Sequence, residues 1–158
     1  MKTNENHQNT VTLPEEMMLV EFYLGKELFG IPVKNVNEII MPTQVTPVPR
    51  SKPYIEGITD IRGEVLPVID LAMFLSIPVQ ENSEQDRFIV TEISEQRAIF
   101  HVSGVEQILS VTKIEKPNDL SNRNQFVSGV IRNQEQIILL LDFEKMFSEI
   151  IALNEPEM

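Results

Sequence analysis

Gly57-Ile58-Thr59-Asp60-Ile61-Arg62-Gly63-Glu64-Val65-Leu66-Pro67-Val68-Ile69-Asp70 holds two apolar runs that meet at Arg62-Gly63-Glu64. β-branched residues on either side of a polar, glycine-containing break are the pattern of two strands joined by a tight turn. Pro67 has no N–H to give to a sheet ladder, so it belongs on an edge strand or at a bulge. Asp70 stands just before Leu71-Ala72-Met73-Phe74-Leu75, placed to cap the free N–H groups of a short helix. Gly129 and Asp142 repeat the two ends of this block 72 positions on (129 − 57 and 142 − 70). Upstream, Val102, Val105 and Ile108 repeat Val33, Val36 and Ile39 at a displacement of 69 (102 − 33). One unit therefore occurs twice, with three residues inserted between its matched parts.

Working outward, Leu19 to Leu24 and Leu28 to Val33 flank Gly25-Lys26-Glu27 as a hairpin, and Phe88 to Ile93 with Ala98 to Val102 restate it around Ser94-Glu95-Gln96. Val33, Val36 and Ile40 recur at three- and four-residue steps, which predicts a helical turn or two over 33–40. A short strand is expected at Val45 to Val48, and the polar run from Ser76 to Arg87 reads as a linker. About five short strands per copy predict an all-β protein with short helices. Two tandem five-stranded barrels, which remove exposed sheet edges by closure, are the expected architecture. Their halves are expected at about 17–80 and 84–151 of a single domain spanning 17–151. Residues 1–16 are polar enough to be a disordered tail, and 152–158 a second tail. Met146, Phe147, Ile150 and Ile151 fall on one helical face, so a terminal helix should dock on the barrels.

The chain has no cysteine, which excludes disulfides, a thiol nucleophile and thiolate metal sites, and fits a cytoplasmic home. The opening is polar, with no apolar targeting core, and no stretch has the roughly 20 apolar residues that span a bilayer. A net charge of −11 repels phosphate backbones and anionic lipid, so nucleic acid and direct membrane insertion are not expected.

Chemistry is sparse. His7 lies in the tail, and His101 alternates with Phe100 and Val102, so it is expected at solvent or the edge of a groove. No Gly-x-Ser-x-Gly elbow and no phosphate-cradling glycine loop occurs, and no cofactor or metal site is expected. Asp70 and Asp142 are the most tempting carboxylates, but their equivalence in the repeat favours a shared capping duty over catalysis. Gly57 and Gly129 likewise mark a bulge or a close backbone approach. Residues that a barrel demands should recur in both copies, whereas residues serving a partner are free to differ. Glu38 faces Gln107, Asp60 faces Arg132 and Arg62 faces Gln134 in the alignment of copies. The first copy's helical turn and hairpin tip are therefore the candidate site. At such a tip Arg62 offers a planar fork of donors to another protein, or else pairs locally with Asp60 or Glu64.

Two stretches then carry a family resemblance: Phe29-Gly30-Ile31-Pro32-Val33-Lys34-Asn35-Val36-Asn37-Glu38-Ile39-Ile40, and the block from Gly57 to Leu71. Over about Met18 to Ile151 the chain resembles the CheW family of chemotaxis coupling proteins. The resemblance implies two packed SH3-like barrels and a non-catalytic adaptor that joins the cytoplasmic tips of chemoreceptors to the regulatory domain of the histidine kinase CheA. Val36, Glu38, Arg62 and Gly63 match positions tied to receptor or kinase coupling, and Gly57 matches the glycine that opens the family's Asn-Leu-Arg-Gly block. Asp60 replaces the usual Asn of that block, exchanging an amide donor for a charge that could pair with Arg62. The family's kinase-docking edge corresponds to Val45, Pro47 and Val65. Val102-Ser103-Gly104-Val105-Glu106-Gln107-Ile108 lacks two acids of the usual pattern. Phe100-His101-Val102-Ser103 and Ile114-Glu115-Lys116-Pro117 are closer to the CheW-like amino-terminal domain of CheV.

The resemblance further implies a cytoplasmic protein recruited to membrane receptor arrays, with other CheW-like couplers as neighbours in rings. Two alternatives differ in class. One is a coupler for a non-chemotaxis pathway such as surface motility or cyclase control. The other is a small hydrolase using Asp70 or Asp142.

Overall fold

The computed structural model describes residues 10–79, 82–117 and 125–154. Ten strands run in order: β1 (Thr10–Leu24), β2 (Glu27–Pro32), β3 (Val36–Ile40), β4 (Ile55–Ile61), β5 (Glu64–Asp70), β6 (Arg87–Ile93), β7 (Gln96–Val102), β8 (Gly104–Glu115), β9 (Val127–Asn133) and β10 (Gln136–Leu141). A one-turn helix, Leu71–Phe74, follows β5, and a longer one, Phe143–Asn154, follows β10.

The repeat is real, but the two copies are not the two barrels. One closed barrel has the order β1-β2-β10-β9-β8, and the second five-stranded sheet has the order β3-β6-β7-β5-β4. Each unit thus combines the first hairpin of one copy with the last three strands of the other, so the expected division into 17–80 and 84–151 is not a boundary between barrels. The reason lies in the connections. Three residues of 3-10 turn, Val33–Asn35, separate β2 from β3, and Ser103 alone separates β7 from β8. Ser103 alone is too short to reverse the chain, and the 3-10 turn after Pro32 does not reverse it, so in both copies the chain runs on into the neighbouring sheet. Parallel pairing then completes each unit: Leu28, Phe29 and Gly30 with Ile138, Leu139 and Leu140, and Val68, Ile69 and Asp70 with Ile99, Phe100 and His101.

Closure is equivalent in both units. β8 meets β9 at Glu115 and Val130, and an isolated bridge joins Thr46 to Ile58 at the positions 69 and 72 earlier (115 − 46 and 130 − 58). Gly57 makes the second closure possible. A β-bulge falls between Ile55 and Gly57, and Gly57 has φ +149°. A Cβ there would lie 2.1 Å from the Thr46 carbonyl oxygen and 2.9 Å from Pro47 Cα. The close backbone approach expected from the sequence is therefore present. Pro67 lies on β5 just before its pairing with β7 begins at Val68, so no partner is denied an N–H.

Over 19–22 of β1 and 29–31 of β2 the chain is buried on both faces. Leu19 enters a cluster inside the first barrel with Val111, Ile131, Ile138 and Leu140. Val20, Phe22, Leu24, Phe29 and Ile31 point the other way, into the largest core, which lies between the two units and also takes Ile69, Ile89 and Phe100. The terminal helix docks there through Phe143, Met146, Phe147 and Ile150, as its apolar face predicts. Ile61, Leu66, Val68, Phe88, Val90 and Ile99 fill the second unit.

Four further expectations need correction. Residues 10–16 are not a disordered tail but the start of β1, where Thr10, Val11 and Thr12 pair with Glu115, Ile114 and Lys113. Composition could not reveal that β8 offers them an open edge. Residues 1–9 lie outside the described part, as do 155–158, whereas the expected tail from 152 is helical as far as Asn154. The helical turn over 33–40 shrinks to Val33–Asn35, and Val36–Ile40 is a strand whose burial alternates. The expected strand at Val45 to Val48 contributes only the bridge at Thr46.

Candidate functional site

The β4–β5 tip is a two-residue turn in which Arg62 has φ +49° and Gly63 φ +90°, the left-handed pair that a tight hairpin requires. Asp60 stabilises this turn by accepting the Gly63 N–H at 2.7 Å. Arg62 is left free to reach sideways, and its guanidinium donates to Glu38 on β3. The local pairs considered for Arg62, with Asp60 or Glu64, are not the ones formed. Glu64 pairs instead with Arg97 on β7, whose Nε donates to Asn37 Oδ1 at 3.1 Å. Arg97 and Asn37 join the site although sequence reasoning missed them, since only the exchanged sheet sets β7 beside β5 and, across β6, within reach of β3. Arg62 remains 70% exposed in its side chain. An ion pair so open contributes at most about 1 kcal/mol to stability, and its donors can be shared with a partner.

Glu38, Asp60, Arg62 and Gly63 are therefore brought together, with Val36 at the start of the same β3, packed on the inter-barrel core. Gly57 lies at the far end of β4 from the tip, where its duty is the backbone approach to Thr46. On the outer face of the second unit Val65 is 58% exposed and is paired with Asp60. Ile58 and Ile39 are also exposed. Pro47 is exposed beside the Thr46 bridge, and Val45 is partly buried against the barrel interior. Ile58 and Ile39 extend the apolar edge beyond the residues named from sequence. Their alternation within β4 and β3 was visible, but which face would be covered was not.

His101 departs from expectation. It is mostly buried, with Nδ1 2.5 Å from Glu56 Oε2 and Nε2 2.7 Å from Asp86 Oδ2. Burial pushes the imidazole down, but hydrogen bonds and charge from Glu56 and Asp86 outweigh it and hold its pKa above the ordinary value. The cluster ties β4 and β7 to the end of the linker.

Asp70 accepts the Met73 N–H at 3.1 Å and Asp142 the Lys145 N–H at 3.0 Å, the paired capping that the repeat predicts. Burial, and secondarily the charge of Glu56, push the Asp70 carboxyl up against the lowering effect of the Met73 bond. With their carboxylates occupied at helix starts, neither aspartate supports the hydrolase alternative.

Comparison with known proteins agrees with this geometry. The family model for the CheW-like domain matches residues 18–150. The Chemotaxis protein CheW of Treponema pallidum is 27% identical over 85% of this chain and 84% of its own length. The Chemotaxis protein CheV3 of Helicobacter pylori is 29% identical over 81% of this chain and 43% of its own. Among solved structures, the scaffolding protein TtCheW of Thermoanaerobacter tengcongensis superposes with a TM-score of 0.80 at 28% identity, covering 91% of this chain and 98% of that one.

Proposed function

The chain belongs to the CheW-like domain family of chemotaxis proteins, and on that premise we propose that it is a non-catalytic adaptor linking chemoreceptor cytoplasmic tips to the regulatory domain of a CheA-type histidine kinase. The observation that carries this reading is the hairpin tip. Arg62 is presented in a strained turn beside Gly63, which has no neighbour within 4 Å of where a side chain would stand. An exposed arginine on a rigid scaffold is a recognition device, and it needs no tuned acid or base.

Val36, Glu38, Asp60, Arg62 and Gly63 serve receptor or kinase coupling. Gly57 acts behind them by seating Thr46 and Pro47. The exposed apolar edge of Val45, Pro47 and Val65 receives the kinase domain, and neighbouring couplers complete rings. No helix among the described residues is long and apolar enough to cross a membrane. In the proposed reading, attachment to receptor arrays runs through these protein contacts.

The test is calorimetric titration of the full chain with a CheA-type regulatory domain and, separately, a receptor-tip fragment. Saturable binding to at least one is expected, and Arg62→Glu should weaken it by about tenfold or more while shifting stability by under about 1 kcal/mol. No binding to either partner, or identical affinities for wild type and variant, would overturn the assignment.

A further inference from the structure

The two barrels close along the same seam, β3 with β4–β5 in one and β8 with β9–β10 in the other, but they finish it differently. In the second unit Arg62 spans the seam to Glu38. In the first barrel the equivalent positions are Gln134 and Gln107 (134 − 62 = 72 and 107 − 38 = 69). No ion pair forms between them, and a hollow of about 690 Å³ remains between Glu106, Gln107 and Leu109 on β8 and the turn 133–136. Its lining consists of amides, the carboxylates of Glu106 and Glu135, and one leucine, with no cation among the described residues.

A second, independent observation lies directly behind Gln107. Glu21 on β1 is fully buried, with one carboxylate oxygen accepting from Gln107 Nε2 at 3.4 Å and the other, Oε2, without a hydrogen-bond partner. Its equivalent in the second unit is Val90 (90 − 21 = 69), a fully buried core residue. The first barrel thus carries a carboxylate where the second has a core valine, behind a hollow whose lining holds no arginine; Arg132 on β9, whose Nε donates to Glu115 at 2.5 Å, lies outside that lining. Burial pushes the Glu21 carboxyl up, the Gln107 bond opposes this, and the charge of Glu106 adds to the rise. A cation at the seam would favour the charged carboxylate and oppose that rise.

We propose that the β8/β9–β10 seam of the first barrel receives an arginine side chain from a partner protein, in the place that Arg62 takes within the second. A guanidinium carries five donors in a flat fork, a geometry suited to meeting Glu21 Oε2 with one edge and Glu106, whose Oε2 accepts from the Tyr23 hydroxyl at 3.0 Å, with another. Entry requires only that Gln107, an exposed side chain on a long hydrogen bond, swing aside. This surface lies on the barrel opposite Arg62, and the inference does not depend on which partners the tip recognises.

The experiment is an amide NMR titration of the full chain with N-acetyl-arginine amide, set against its neutral isostere N-acetyl-citrulline amide. Saturable shifts confined to residues 106–109 and 133–136 are expected with arginine and absent with citrulline. Glu21→Val, which copies Val90, should keep the fold and weaken arginine binding about tenfold. Gln134→Arg copies Arg62 at a position that already has φ +57° against +49°, and should block the added arginine by filling the seam from within. Equal response to citrulline, no saturation, or arginine binding undiminished in both variants would each overturn the proposal.

Discussion

Replacing Gly57 by alanine should cost this protein about 3–5 kcal/mol of stability. The added Cβ would stand 2.1 Å from the Thr46 carbonyl oxygen, 2.6 Å from its carbon and 2.9 Å from Pro47 Cα, all main-chain atoms that cannot rotate away. Relief requires moving the 46–47 segment off β4, which breaks Thr46 N–H to Ile58 O at 2.8 Å and Ile58 N–H to Thr46 O at 2.9 Å. Two backbone bonds are worth about 1 kcal/mol each, and holding alanine at φ +149° adds about 1–3 kcal/mol. Against a typical total of about 5–15 kcal/mol the loss is large but survivable for a stable domain. Urea unfolding followed by circular dichroism measures it. Gly129→Ala is the internal control: its Cβ would meet Ile114 Cγ2 at 2.4 Å, a side-chain methyl able to turn aside, so the cost should be smaller. A Gly57→Ala midpoint within about 1 kcal/mol of wild type, or a larger loss from Gly129→Ala, would refute the reasoning.

Glu21→Val should raise stability at neutral pH by about 1–3 kcal/mol, because it removes a buried carboxylate oxygen that has no partner. Since the folded Glu21 carboxyl titrates above 4.5, its contribution is most favourable below that pH and is lost as pH rises, so the variant's advantage in urea midpoint should shrink toward acid. His101 titrates above 6.5 in the folded chain, so the stability it supplies is complete below pH 6.5 and declines as pH rises through the folded value. The urea midpoint of His101→Gln should fall below wild type at pH 6 and approach it in alkali, and a constant difference would contradict the charged clasp with Glu56 and Asp86. Asp70→Ala and Asp142→Ala should each lose about 1 kcal/mol in thermal unfolding with the fold intact, the usual cost of a missing helix cap.

Several features were legible in the residues alone because they depend on nearest neighbours. The Arg62-Gly63 turn, the caps at Asp70 and Asp142 and the bulge at Gly57 each follow from what a few consecutive residues can do. The asymmetry between the copies at Glu38, Asp60 and Arg62 pointed to the tip, and these residues do gather there with Gly63. The ion-pair partners did not follow, because Glu38 and Arg62 lie 24 positions apart on strands that share no local signal (62 − 38). Arg97 reaches the same tip from the other copy. His101, expected from its alternation at solvent or the edge of a groove, is enclosed because Glu56 and Asp86 converge on it from distant segments. The polar stretch 10–16 could not announce itself as a strand, since its partner at residues 113–115 lies a hundred residues away.

From its sequence this chain determined a β-rich body of two copies of one unit, with matching bulges, caps and closures, since each of these rests on local propensity and on an internal repeat that can be counted. Tertiary structure alone decided that the copies exchange strands. Equivalent strands present equivalent edges, so a hairpin pairs as well with the other copy's sheet as with its own, and nothing in a repeated sequence distinguishes the two. What settles the choice is that the 3-10 turn after Pro32 and the single residue after Val102 carry the chain onward instead of turning it back. That exchange places the large apolar core between the barrels, sets Arg62 over Glu38 on one seam, and leaves Glu21 behind an open hollow on the other.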